Sequence, residues 1–108
     1  MKILKFLLIS FFVSITISVN TFADEAKMKK GLEIFNETAG CAACHVLKAA
    51  GSVGNIGPNL DTVSMTIESV TDMVTNGLGV MPAFGEGEIL TKEEIDIVSY
   101  YVVNAAAK

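Results

Sequence analysis

The two cysteines and the only histidine of this chain fall within five consecutive residues, Cys41-Ala42-Ala43-Cys44-His45. Few chemistries fit such a cluster. A disulfide between Cys41 and Cys44 would close a loop too small to constrain a fold. A tetrahedral zinc site needs a fourth ligand beyond two cysteines and one histidine. A thioredoxin-like redox pair belongs in a strand-helix-strand unit, whereas the residues before Cys41 read as a helix. The spacing Cys-x-x-Cys-His does fit covalent attachment of one c-type haem. Residues three and four apart share a face of a helical turn, so Cys41 and Cys44 can meet two vinyl groups of a porphyrin while His45 points at its iron.

The rest of the chain has reason to need such a group. Its 108 residues suffice for one small domain, and the apolar excess is concentrated at the front: Phe6, Phe11, Phe12 and Phe22 are four of the six phenylalanines. Lys2 and Lys5 precede an apolar run from Phe6 to Val19, and Thr21 and Ala23 stand where an export peptidase prefers small residues. Residues 1–23 therefore read as a signal peptide, with an uncleaved membrane anchor as the alternative. No cysteine stands at the expected cut, so a lipid anchor is not indicated. Residues 24–108 read as a single domain, and no stretch in them reaches 18 uninterrupted apolar residues, so none can span a bilayer as a helix. This segment holds four methionines, two phenylalanines, two tyrosines and no tryptophan. Domains of this size bury only about 60–70% of the unfolded chain's surface. A bulky apolar prosthetic group would supplement so thin a core.

Apolar periodicity predicts an all-α domain. A first helix is expected from about Ala26 to Thr38, with Met28, Leu32 and Phe35 on one stripe and Gly40 as its left-handed terminator. The stretch from Val46 to Asp61 contains Gly51, Gly54, Gly57 and Pro58 and reads as loop. A middle helix from about Thr66 to Asn76 would bury Ile67, Val70, Met73 and Val74, with Gly77 as its stop. A second glycine-rich loop, Gly77 to Gly87, leads to a last helix that Thr91 and Glu94 would open reciprocally. Ile95, Val98, Tyr101 and Val102 form its apolar face. No alternating strand pattern appears.

With His45 on one side of the iron, the other ligand is sought among Met28, Met65, Met73 and Met81. Met28 and Met73 lie on helix stripes, where methionine usually fills core space. Met65 precedes the middle helix and is undecided. Met81 sits in a glycine-rich loop, and Pro82 biases it toward an extended backbone, from which its thioether can project at a metal. A metal-bound histidine donates its second ring N–H to a fixed acceptor. The stiffened backbone at Pro58 offers one in its carbonyl, although an ordinary loop proline would look the same in sequence.

The series Gly31-x-x-x-Phe35, Cys41-x-x-Cys44-His45, Gly57-Pro58-Asn59-Leu60, Gly79-Val80-Met81-Pro82-Ala83-Phe84 and Thr91-x-x-Glu94…Tyr101 resembles the class I c-type cytochromes across residues 24–108. The resemblance implies three to four helices wrapped around one covalently bound haem c. It implies thioethers from Cys41 and Cys44, axial ligands His45 and Met81, and a Pro58 carbonyl that orients His45. It also implies that Gly31 and Phe35 cross Tyr101 where the terminal helices pack. Many relatives place a tryptophan near a haem propionate, and this chain has none. The run from Cys41 to Asp61 also resembles the small cytochromes that serve bacterial sulfite dehydrogenases.

Iron held by His45 and Met81 has no vacant position, which disfavours oxygen binding and leaves one-electron shuttling. Met/His ligation raises the reduction potential, and enclosure by Leu60, Val80 and Phe84 would push the same way. The expected protein is thus an electron carrier in the periplasm rather than an enzyme, working between a donor dehydrogenase and an acceptor oxidase or cytochrome. Two alternatives are a fixed cytochrome subunit of a larger dehydrogenase and a peroxidase-type module in which Met81 leaves the iron. Without Lys2 and Lys5, six bases face twelve acids, a net charge of −6. That balance argues against nucleic acid as a partner and fits steering toward basic protein surfaces, or simple solubility. Glu86, Glu88, Glu93 and Glu94 form a candidate docking patch or a solvated face.

Overall fold

A computed structural model describes residues 19–107. The leader expected over 1–23 lies outside them apart from its last five residues, which are helical. Helix α1 spans Val19–Glu33 and continues into a π-helical turn, Ile34–Thr38. The first helix is expected from Ala26, and the chain is already helical at Val19, the first described residue. Its change of winding is marked by the Ala39 N–H, which donates to the Ile34 carbonyl at 2.8 Å. The wider turn rotates the inner face, so that Ile34 joins Phe35 in full burial while Met28 and Leu32 are only half-buried. Gly40 then takes a φ of +69°, a left-handed value that suits glycine, and the chain leaves the helix.

Helix α2, Ile67–Asn76, begins with a reciprocal cap. The Thr66 hydroxyl accepts from the Ser69 N–H at 3.1 Å, and the Ser69 hydroxyl accepts from the Thr66 N–H at 3.0 Å. Its inner stripe is narrower than the periodicity suggested. Val70 and Val74, one turn apart, are buried, whereas Ile67 and Met73 are 43% and 38% exposed. Helix α3, Lys92–Ala105, opens as its sequence predicts. The Thr91 N–H donates to Glu94 Oε2 at 2.8 Å, and the Glu94 N–H donates to the Thr91 hydroxyl at 3.2 Å. It buries Ile95, Val98, Ser99, Tyr101 and Val102.

The three helices pack with α3 in contact with both α1 and α2. Where α1 crosses α3, Gly31 lets the backbones approach. A methyl at position 31 would run into Tyr101 Cβ and stand 2.8 Å from Tyr101 Cγ. Beside it, the Phe35 and Tyr101 rings lie 6.0 Å apart at 58°, a tilted aromatic pair.

One element departs from the all-helical expectation. Within the presumed loop, β1 (Val46–Leu47) and β2 (Ser52–Val53) form a small antiparallel hairpin, with Val46 opposite Val53 and Leu47 opposite Ser52. Two-residue strands are too short to show alternation. What closes this one is a side chain: the Leu47 N–H donates to the buried Ser52 hydroxyl at 2.8 Å, and that hydroxyl donates to the Leu47 carbonyl at 3.3 Å. Leu47 is fully buried as a result.

Candidate haem site

The Cys41–Ala43 segment forms a single 3₁₀ turn that starts from Gly40. The Cys41 carbonyl accepts from the Cys44 N–H at 3.1 Å and from the His45 N–H at 3.0 Å, so one oxygen fixes the order of the motif. Both thiols are free and half-buried. Burial pushes the Cys41 thiol up to about 11, with a smaller push from Cys44, so Cys41 is an uncharged thiol at neutral pH.

The chain then returns over this turn, and glycines permit the approach. A Cβ at Gly54 would stand 2.6 Å from the Ala43 carbonyl oxygen. A Cβ at Gly57 would stand 2.5 Å from His45 Cε1 and 2.8 Å from Nδ1, so Gly57 lies close against the imidazole. The Gly57 N–H donates to the Cys44 carbonyl at 2.7 Å. One residue further on, the Pro58 carbonyl oxygen is 2.8 Å from His45 Nδ1. A carbonyl can only accept, which puts the proton on Nδ1 and leaves the Nε2 lone pair for a metal.

Met81 belongs to a second tight segment. Leu78 and Met81 exchange backbone hydrogen bonds at 3.0 and 3.2 Å, with Gly79 at a φ of +59° between them. Gly77, at +68°, packs on the far side of this turn, where a Cβ would stand 2.5 Å from the Met81 carbonyl oxygen. The Phe84 N–H donates to the Val74 carbonyl at 3.0 Å, and the Gly85 and Glu86 N–H groups donate to the Thr75 carbonyl. The methionine turn is thereby tied to the C-terminal carbonyls of α2.

Of the residues expected to enclose the iron, Phe84 is in the core at 7% exposure, Leu60 packs against that core, and Val80 is 88% exposed at the tip of the turn. Cys41, Leu60 and Met81 all pack on the core that includes Phe84. The structure brings His45 and Pro58 into direct contact. Sequence reasoning treated Gly54 and Gly57 as loop punctuation and missed their close approach to the motif. Their regular spacing with Gly51 was the available signal. Ser52 carried no signal, because a serine beside glycines looks like any turn residue.

These residues fit a covalently held haem. The donor set is an imidazole nitrogen, a thioether and two thiols in the attachment spacing. Val53, Ile56, Leu78 and Val80 are each more than two-thirds exposed, an apolar excess on the segments that flank the motif and the methionine turn.

Residues 26–102 match the family described as cytochrome c oxidase, cbb3-type, subunit III. The chain belongs to the class I c-type cytochromes. It is 36% identical over 106 residues to cytochrome c6 of Gracilaria tenuistipitata var. liui, covering 91% of this chain and 93% of that one. It is 34% identical over 84 residues to cytochrome c6 of Microcystis aeruginosa, covering 72% and 96%. Among solved structures, the c-type cytochrome SorU from Sinorhizobium meliloti matches with a TM-score of 0.71 and 49% identity, over 78% of this chain and 95% of that one. This cytochrome is therefore an electron-transfer protein that carries covalently attached haem c. Like other cytochromes c it works with redox partner proteins, and no helix of the described residues is long and apolar enough to cross a membrane.

Proposed function

We propose that Cys41 and Cys44 form the thioether links, that His45 Nε2 and Met81 Sδ are the axial ligands, and that Pro58, Leu60, Val80 and Phe84 belong to the pocket. On this reading the cytochrome, exported by residues 1–23 as a cleaved leader, is a periplasmic one-electron carrier between a donor dehydrogenase and a terminal acceptor. The observation that carries the ligand assignment is the 2.8 Å contact between His45 Nδ1 and the Pro58 carbonyl. It fixes the tautomer and the ring plane, and Gly57 backs the same ring. When bound, the haem supplies a ferric/ferrous couple whose potential a thioether opposite an imidazole raises.

The chain's own part is to keep both ligands in place through a change of one electron. His45 is held by two backbone carbonyls, Cys41 at its N–H and Pro58 at its ring. Met81 is held by a closed turn braced by Gly77. Rigid ligands change little between redox states, which suits a carrier better than a catalyst. The likeness of the Cys41–Asp61 run to the small cytochromes that serve bacterial sulfite dehydrogenases favours a dehydrogenase of that class as donor. The same likeness supports one second reading, a fixed cytochrome subunit of such a dehydrogenase, which co-purification would reveal.

The test is expression with the leader in a host that exports and matures c-type cytochromes. The expected product begins at Asp24, has the mass of residues 24–108 plus one haem, gives a pyridine haemochrome spectrum and titrates as a one-electron couple. A colourless product with the mass of its amino acids alone would refute the proposal.

A further inference from the structure

The segment that brings His45 to Pro58 is closed at its neck by a carboxylate. Asp61 Oδ2 accepts from the Lys48 N–H at 2.8 Å, and its other oxygen, Oδ1, accepts from the Ala107 N–H at 2.9 Å. Lys48 lies three residues after His45, and Asp61 lies three residues after Pro58. The Asp61 side chain therefore joins the two stems of the loop whose function is to hold the imidazole against its acceptor. The Leu60 N–H to Val46 carbonyl bond, 2.9 Å, runs across the same neck. Asn59 Oδ1 accepts from the Asp61 N–H at 2.9 Å and sets the carboxylate in place.

The second arm reaches further. Ala107 follows the end of α3, 46 residues away in sequence, and α3 is the helix that packs on both α1 and α2. The carboxylate thus ties the ligand loop to the best-packed part of the fold. Both bonds are charge-assisted, a class about twice as strong as neutral amide bonds. The Ala107 and Lys48 N–H groups hold the Asp61 carboxyl below the usual carboxylate range, so it is ionised at neutral pH.

We propose that Asp61 is a positioning residue for the iron-binding histidine: it clamps both stems of the His45–Pro58 loop and anchors them to the C-terminal end of α3. This rests on His45 being an axial ligand. The strength of the bond from Nδ1 to Pro58 sets how basic the imidazole is toward iron. A looser loop weakens that bond and favours the ferrous state.

Two variants test this in the haem-loaded protein. Ala107→Pro removes one N–H and no charge, and Ala106, with a ψ of 142°, already has the backbone that a residue before proline needs. Asp61→Asn removes the charge and turns one acceptor into a donor facing an N–H. The readouts are exchange of the His45 Nδ1–H with solvent, the haem methyl resonances of the ferric protein, and the midpoint potential. In Ala107→Pro the exchange should quicken about tenfold and the methyl resonances should move, with helix content unchanged. In Asp61→Asn both effects should be larger and the potential should rise. Exchange within twofold of the parent and an unmoved potential in both variants would overturn the role of Asp61. A parent protein with no iron-shifted Nδ1–H signal from His45 would instead overturn the ligand assignment and the proposal with it.

Discussion

Replacing Gly31 by alanine isolates what the crossing of α1 and α3 contributes. Alanine is intrinsically better than glycine in a helix interior by about 1 kcal/mol, so propensity alone predicts a more stable protein. The packing predicts the opposite. The new methyl would overlap Tyr101 Cβ, stand 2.8 Å from Cγ and sit 3.2 Å from the Ile97 carbonyl oxygen, where 3.4 Å or more is ordinary. Neither Cβ nor a main-chain oxygen can rotate away, so the helices must separate. Overpacking of this kind costs about 1–3 kcal/mol, and the Phe35–Tyr101 pair, worth about 0.5–1.5 kcal/mol, is strained with it. After the helix gain is subtracted, a loss centred on about 2 kcal/mol is expected. In a domain of this size that lowers Tm by roughly 8–16 °C. Urea unfolding of the haem-loaded protein, followed by circular dichroism, measures it. Tyr101→Ala should fail to rescue the variant, because alanine keeps the offending Cβ, whereas Tyr101→Gly should show favourable coupling with it. A Gly31→Ala protein as stable as its parent would refute the reasoning.

Replacing Met81 by histidine should lower the midpoint potential in a redox titration by a sizeable fraction of the roughly 0.8 V that axial ligands span; an unchanged midpoint would remove Met81 from the iron. Cys44→Ala should retain one covalent link, so haem stays with the denatured chain in acid-acetone, while Cys41→Ala/Cys44→Ala releases it. Glu88 has a φ of 56° without being glycine, and Glu88→Gly should raise the urea midpoint by the equivalent of about 0.5–1 kcal/mol. The Asp61 carboxyl is depressed in the folded state relative to about 3.9 in the unfolded chain. Its contribution is complete above that unfolded value and fades as pH falls through the folded one. The stability gap between parent and Asp61→Asn should therefore be constant above about pH 5 and narrow in acid.

How much of this was legible in the sequence depended on how local the cause was. The Thr91–Glu94 cap needs only residues three apart, and it forms as read. The equivalent cap at α2 uses Ser69 in place of a glutamate, and its serine hydroxyl reaches the Thr66 N–H just as well. The hairpin was hidden because its closure depends on where the Ser52 hydroxyl points after folding, not on any alternation. Ile67 and Met73 share a stripe with Val70 and Val74 on a helical wheel. Only the two valines are buried, because a stripe records which side faces inward and not how far the neighbouring helix extends. The clamp at Asp61 was equally out of reach, since one of its donors lies 46 residues away.

The same contrast runs through the site. The atoms proposed to bind the haem belong to side chains, and residue types alone nominate them: two thiols, one imidazole and one thioether. What aims them is main chain. The Cys41 carbonyl orders the motif, the Pro58 carbonyl sets the imidazole, and the Leu78–Met81 bonds fix the thioether turn. Gly54, Gly57 and Gly77 contribute by lacking a Cβ, each beside a backbone or ring atom 2.5–2.6 Å from where that carbon would be. A site built this way takes its aim from main chain, because each of those bonds has a backbone carbonyl as its acceptor. It should be intolerant at its glycines. Gly57→Ala is the sharpest case: the added methyl would press on the His45 ring itself, so it should disturb the imidazole's bond to Pro58, and with it the potential, more than it disturbs the helices.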